Sequence, residues 1–123
     1  MDLTTVMFSE GLPWFAERLN RLFETVPADA KSRPPRFFTN AQIAATVRDF
    51  GVRCSEAHMS LMRNGSRNNP SAALVVAISA AFGRNPMYLI DASGSDLEVL
   101  LDEEYAAPRL ETLRASGSVV SDA

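Results

Sequence analysis

The chain has 123 residues, 46% of them hydrophobic and 22% charged, with a formal net charge of −3, one cysteine and one histidine. That length supports one hydrophobic core rather than two independent ones, and no apolar run approaches the roughly 20 residues that a bilayer-spanning helix requires. A lone thiol cannot close an internal disulfide and a lone imidazole builds no metal cluster, so no disulfide scaffold, metal or other cofactor is expected.

The start, Met1 to Thr5, lacks the basic and apolar stretches of a secretory signal, which predicts a cytoplasmic protein. The mean charge hides a division. From Lys31 to Pro70 the basic residues are Lys31, Arg33, Arg36, Arg48, Arg53, Arg63 and Arg67 against Asp49 and Glu56, a local balance of +5. From Asp91 onward eight carboxylates face only Arg109 and Arg114, a balance of −6. Such asymmetry is expected where one part of a chain meets phosphates and another does not.

Phe15, Leu19, Leu22, Phe23 and Val26 recur at helical spacing between Pro13 and Pro27, which predicts a first helix from about Trp14 to Val26. Ala28 to Phe38, with Pro34 and Pro35, reads as an extended loop. Thr39 and Gln42 form a capping box that opens a second helix, whose apolar stripe is Ile43, Val47 and Phe50 and which Gly51 ends. After a short turn Ser55 caps a third helix to about Asn64, stopped by Gly65. Its apolar residues are few, chiefly Met59 and Met62, so one side must meet solvent or a ligand. Asn69-Pro70 and Asn85-Pro86 open two more helices. The first runs to Phe82, apolar almost all round and hence buried; the second ends at Ile90. Ala92 to Gly94 reads as a linker, and Ser95 with Glu98 as a capping box before an acidic helix carrying Leu97, Leu100, Leu101 and Tyr105. Pro108 then restarts a short segment with Leu110 and Leu113.

The expected fold is therefore all-α: a compact five-helix bundle with a helix-turn-helix over residues 1–91, an acidic helical extension over 92–115 and a polar tail over 116–123. A helix ending in glycine, a short turn and a second helix with a half-polar face is the sequence form of a helix-turn-helix. In that unit the second helix offers its N-terminus, here Thr39, to a phosphate, and the third offers a free face to the major groove.

The stretch from Gly51 to Ser71, GVRCSEAHMSLMRNGSRNNPS, resembles the Cro/repressor-type (XRE) helix-turn-helix through its Ser60-x-x-Arg63-Asn64-Gly65-x-Arg67-x-x-Pro70 spacing. With a first helix similar to Phe15 to Phe23, the chain resembles more narrowly the actinobacterial EspR-type regulators. The resemblance implies a double-stranded DNA-binding protein of the nucleoid, a transcriptional regulator or nucleoid-associated protein acting as a homodimer. Carried onto this chain, it implies base contacts from Glu56, Ala57, Ser60 and Leu61, with Ser55 and Asn64 at the ends of the helix and backbone contacts from Arg53, Arg63, Arg67 and Asn68. Glutamate can accept from cytosine, while alanine and leucine meet only a thymine methyl, so backbone contact and DNA shape are expected to outweigh base reading.

Leu97, Leu100, Leu101, Tyr105, Leu110 and Leu113 either fold back or pair two copies, and pairing is the preferred reading. Arg48 reads equally as a solvated charge or a phosphate contact, His58 as a packing residue, and Cys54 as a buried filler, or else a somewhat acidic thiol before a helix N-terminus. The alternative function is a protein-interaction adaptor on a helix-turn-helix scaffold. An enzyme is not expected, because the chain lacks a glycine-rich phosphate loop, a Gly-x-Ser-x-Gly elbow and a His-Glu-x-x-His motif.

Overall fold

Helix α1, Phe15–Thr25, buries Phe15, Leu19, Leu22 and Phe23 along one stripe and stops where Pro27 can no longer donate. This computed structural model describes residues 11–105. Arg18, on the same helix, is also buried: its Nη1 donates to the carbonyls of Tyr88 (3.1 Å) and Asp91 (2.7 Å), and its guanidinium lies 4.8 Å from the Trp14 ring centroid. Trp14 donates through Nε1 to Leu89 O at 2.8 Å, so the start of α1 clamps the distant 88–91 segment.

The stretch expected to be an extended loop forms a small antiparallel hairpin instead, β1 Pro27–Asp29 with β2 Arg36–Phe37, pairing Pro27 with Phe37 and Asp29 with Arg36. Strands this short show no alternation for a sequence pattern to reveal, and Pro34 and Pro35 lie in the connection, where they remove no ladder bond. Phe38 fastens the hairpin's exit by packing edge-on against Phe82, centroids 5.6 Å apart. The described residues are thus mostly helical, with this sheet added to the expected all-α class.

Helix α2, Asn40–Asp49, begins on the predicted capping box: Gln42 N donates to Thr39 Oγ1 at 3.2 Å and Thr39 N to Gln42 Oε1 at 2.9 Å. It ends before Gly51, whose φ of +89° is the left-handed geometry that the sequence called for. Helix α3, Glu56–Arg63, is capped by Ser55, whose Oγ accepts from His58 N at 2.9 Å. It buries only Met59 and Met62.

Helix α4, Ala72–Phe82, corrects two expectations. Its cap is Ser71, whose Oγ accepts from Leu74 N at 3.1 Å, so Asn69 and Pro70 stay outside the helix. It is not buried all round either: Ala72, Ala73 and Val76 are exposed beside the buried Leu74, Val75 and Ile78, because no other element among the described residues covers that side. Helix α5, Met87–Ile90, starts one residue later than expected, with Pro86 in the N-cap position, and Asn85 Oδ1 accepts from Met87 N at 3.0 Å.

Helix α6, Leu97–Asp102, is shorter than expected, and the Ser95–Glu98 capping box does not form: the N-cap is Asp96, at φ +61° with no side-chain cap bond. Its leucines fold back. Leu101 is 3% exposed, Leu97 and Leu100 pack partly buried on the same core, and Arg84 Nε and Tyr105 N tie the segment down through Leu101 O (2.7 Å) and Gly83 O (2.8 Å). Leu101 is therefore a core residue in the folded chain, on the helix that packs against α5. Leu110 and Leu113 lie outside the described residues. No helix among the described residues is long and apolar enough to cross a membrane.

Candidate nucleic-acid interface

Helices α2 and α3 are joined by a turn that Arg48 braces: its Nη1 donates to Cys54 O at 2.6 Å, fixing the residue just before the Ser55 cap. Of the two readings open for Arg48, solvated charge or phosphate contact, the structure supplies a third, a local strut. Cys54 is buried, and burial pushes its thiol up against a smaller opposing pull from Arg48. The expectation of an acidic thiol is thereby corrected, since desolvation of the thiolate outweighs the pull of Arg48. Cys54 should accordingly react with a disulfide reagent at pH 8 at least about tenfold more slowly in the native chain than in urea, and equal rates would place it at the surface.

The other end of α3 is held by Arg63. Its Nε donates to Asn20 Oδ1 at 2.7 Å and its Nη1 to Asn40 Oδ1 at 2.8 Å, while its guanidinium sits 4.0 Å from the Phe23 ring centroid. Asn20 returns a bond from Nδ2 to Arg63 O at 2.9 Å. One side chain thus joins α1, α2 and α3. Arg63 was expected to touch DNA phosphate; the structure turns it inward, because two asparagine oxygens and an aromatic face satisfy the guanidinium better than a lone solvent-facing position would.

With both ends fixed, α3 presents Glu56, Ala57, Ser60, Leu61 and Asn64 on its exposed side, opposite Met59 and Met62. Arg53, from the turn, and Arg67, from the segment after α3, are both exposed and line one cleft of about 500 Å³ with His58, Ser66, Asn68 and Ser71. The cleft runs from the start of α3 to the start of α4, so cationic side chains border the exposed helix face. The other expected backbone residues also have local duties. Ser55 Oγ caps α3, Asn64 Oδ1 accepts from Ser66 N at 2.8 Å, and Asn68 O accepts from Leu12 N at 2.8 Å. Thr39 is committed to its capping box, which leaves the next amides of α2 as the anion-facing donors.

The structure therefore brings Arg53, Glu56, Ala57, Ser60, Leu61 and Arg67 to one exposed region and removes Arg63 from it. Sequence reasoning missed Asn20 and Asn40, the residues that orient Arg63, since nothing local marks an asparagine as the partner of an arginine 43 or 23 positions away. The chain is similar to a nucleoid-associated protein. Over 77 residues it is 38% identical to the nucleoid-associated protein EspR of Mycobacterium tuberculosis, in strains CDC 1551 / Oshkosh and ATCC 25618 / H37Rv alike. The match covers 63% of this chain and 55% of the relative, so the chain spans about half the length of the curated relatives it matches. No model of a known protein family matches it.

Proposed function

We propose that this chain binds double-stranded DNA as a helix-turn-helix protein of the Cro/repressor type, with α3 in the major groove, and acts in the nucleoid as a transcriptional regulator or nucleoid-associated protein. The observation that carries this reading is the exposed face of α3 bordered by Arg53 and Arg67 across a single cleft. A helix with that exposure fits the major groove, about 12 Å wide, while the flanking arginines meet phosphates on its edges. The name of the relative, a nucleoid-associated protein, supports the same reading.

Glu56, Ala57, Ser60 and Leu61 are the base-facing residues in this reading, and Arg53, Arg67 and the amides after Thr39 hold the backbone, helped by Ser55, Asn64 and Asn68. Only Glu56 among the four carries a charged reading group, so shape and backbone contact dominate and preference for any one sequence is modest. Two copies on adjacent half-sites raise the effective concentration, and sedimentation with and without duplex measures that pairing.

The test is the salt dependence of duplex binding. Arg53→Ala and Arg67→Ala should each lower the slope of log K against log salt by about one unit, with similar losses on every sequence. Unchanged slopes in both variants, or no binding by the parent chain at low salt, overturn the proposal.

A further inference from the structure

We infer that the β1–β2 hairpin is a second backbone grip, in which Lys31, Arg33 and Arg36 engage phosphates flanking the groove that α3 occupies. The inference rests on the DNA-binding reading above. Three observations carry it. First, the three side chains are exposed, and no acidic residue occurs between Ala30 and Arg48. The carboxylate nearest in sequence, Asp29, is engaged through Oδ1 by the backbone N–H of Lys31 at 3.0 Å. Among the described residues the one ion pair is Arg21–Glu98, elsewhere on the surface. Lys31, Arg33 and Arg36 against the single carboxylate of Asp29 leave the hairpin a net charge of +2, and a positive cluster of that kind is a footprint for an anionic partner.

Second, the cluster stands on a shaped support. The strands pair across Pro27–Phe37 and Asp29–Arg36, Arg33 Nη1 braces the connection through Ala30 O at 2.9 Å, and Phe38 anchors the exit on Phe82. Ordering the hairpin in advance lowers the entropic cost of holding its charges against a backbone.

Third, the hairpin leads straight into the proposed interface. Arg36 lies three residues before Thr39, at most about 10 Å along an extended chain. Thr39 starts α2, and Asn40 at that start is bonded to Arg63 at the end of α3. The basic cluster is therefore tied to the end of α3 remote from Arg53, and extends the phosphate contacts along the duplex on that side. Phe37, 45% exposed next to Arg36, offers an apolar surface to deoxyribose.

The experiment measures duplex affinity against salt for the full chain, the triple variant Lys31→Ala/Arg33→Ala/Arg36→Ala, and the pair Arg53→Ala/Arg67→Ala. The triple variant should lower the slope by about two to three units and weaken binding on the order of 30- to 100-fold at 0.1 M salt. Should it melt early, Lys31→Gln/Arg36→Gln keeps the Arg33 brace and should lower the slope by about two units. A slope within half a unit of the parent, while the Arg53/Arg67 pair still loses its share, overturns the hairpin grip and leaves the DNA reading standing. Absence of duplex binding by the parent chain overturns both. Vesicles containing phosphatidylglycerol form the last arm: a loss confined to vesicles, with duplex binding intact, assigns the cluster to a lipid surface and overturns the inference.

Discussion

Arg63→Ala is expected to lower the unfolding free energy by about 2–3 kcal/mol while leaving the salt slope of DNA binding within half a unit of the parent. The first half follows from what the guanidinium holds: two charge-assisted bonds, to Asn20 and Asn40, and the face of Phe23. Charge-assisted bonds contribute about 1.5–3 kcal/mol each, but the asparagines are only half-buried and water partly replaces the lost donor. Hence the expected total sits well below the sum. The second half follows because a side chain engaged inward contacts no phosphate. Urea denaturation reads the first and a salt titration, at a temperature where the variant stays folded, reads the second. A slope reduced by about one unit would return Arg63 to the backbone contacts. Arg63→Lys should recover little stability, since an ammonium cannot reach both asparagines with the fixed fork of a guanidinium. Asn40→Ala in the parent and in Arg63→Ala should reveal a coupling of about 1 kcal/mol between the two residues.

Gly11→Ala is expected to destabilise by about 2–4 kcal/mol, through left-handed backbone strain and overpacking together. Gly11 has φ +94°, and a Cβ there would stand 2.5 Å from Asn68 Oδ1 and 2.6 Å from Asn68 O. Relief is difficult because the next residue, Leu12, donates its N–H to that same Asn68 carbonyl at 2.8 Å. Gly51→Ala separates the two effects: its φ of +89° is nearly the same, but nothing lies within 4 Å of the added methyl, so it should cost only about 1 kcal/mol. Since Asn68 adjoins Arg67, Gly11→Ala should also weaken duplex binding severalfold wherever the variant is folded, which a titration at low temperature checks. Equal urea midpoints for the Gly11 and Gly51 variants would show that residues 11–12 do not dock on Asn68.

Legibility divided along a physical line. The helix starts at Thr39 and Ser55 were readable because a cap is a bond between residues three apart, and the stop at Gly51 because one residue's backbone geometry decides it. The exposed face of α3 was readable from its scarcity of apolar residues. Even local rules failed where two candidates competed: Ser71 rather than Asn69 caps α4, and Asp96 rather than Ser95 precedes α6. Each pair offers more than one polar side chain at the boundary, so the local pattern alone does not choose between them.

Taken alone, then, the amino-acid order determined the succession of helices, the turn before α3, the charge division between the middle and the end of the chain, and the side of α3 left free. These are local matters, set by periodicity, caps and composition. Only the tertiary structure decided the employment of individual side chains. Arg63 and Arg67, alike in sequence, face a pair of asparagines and open solvent respectively; Arg48 braces a turn; Leu101 joins the core; and Lys31, Arg33 and Arg36 gather on a hairpin at the foot of α2. The reason is that an arginine or a leucine takes whichever partner the fold brings within a few ångströms, and for Arg63 those partners lie 43 and 23 positions away along the chain.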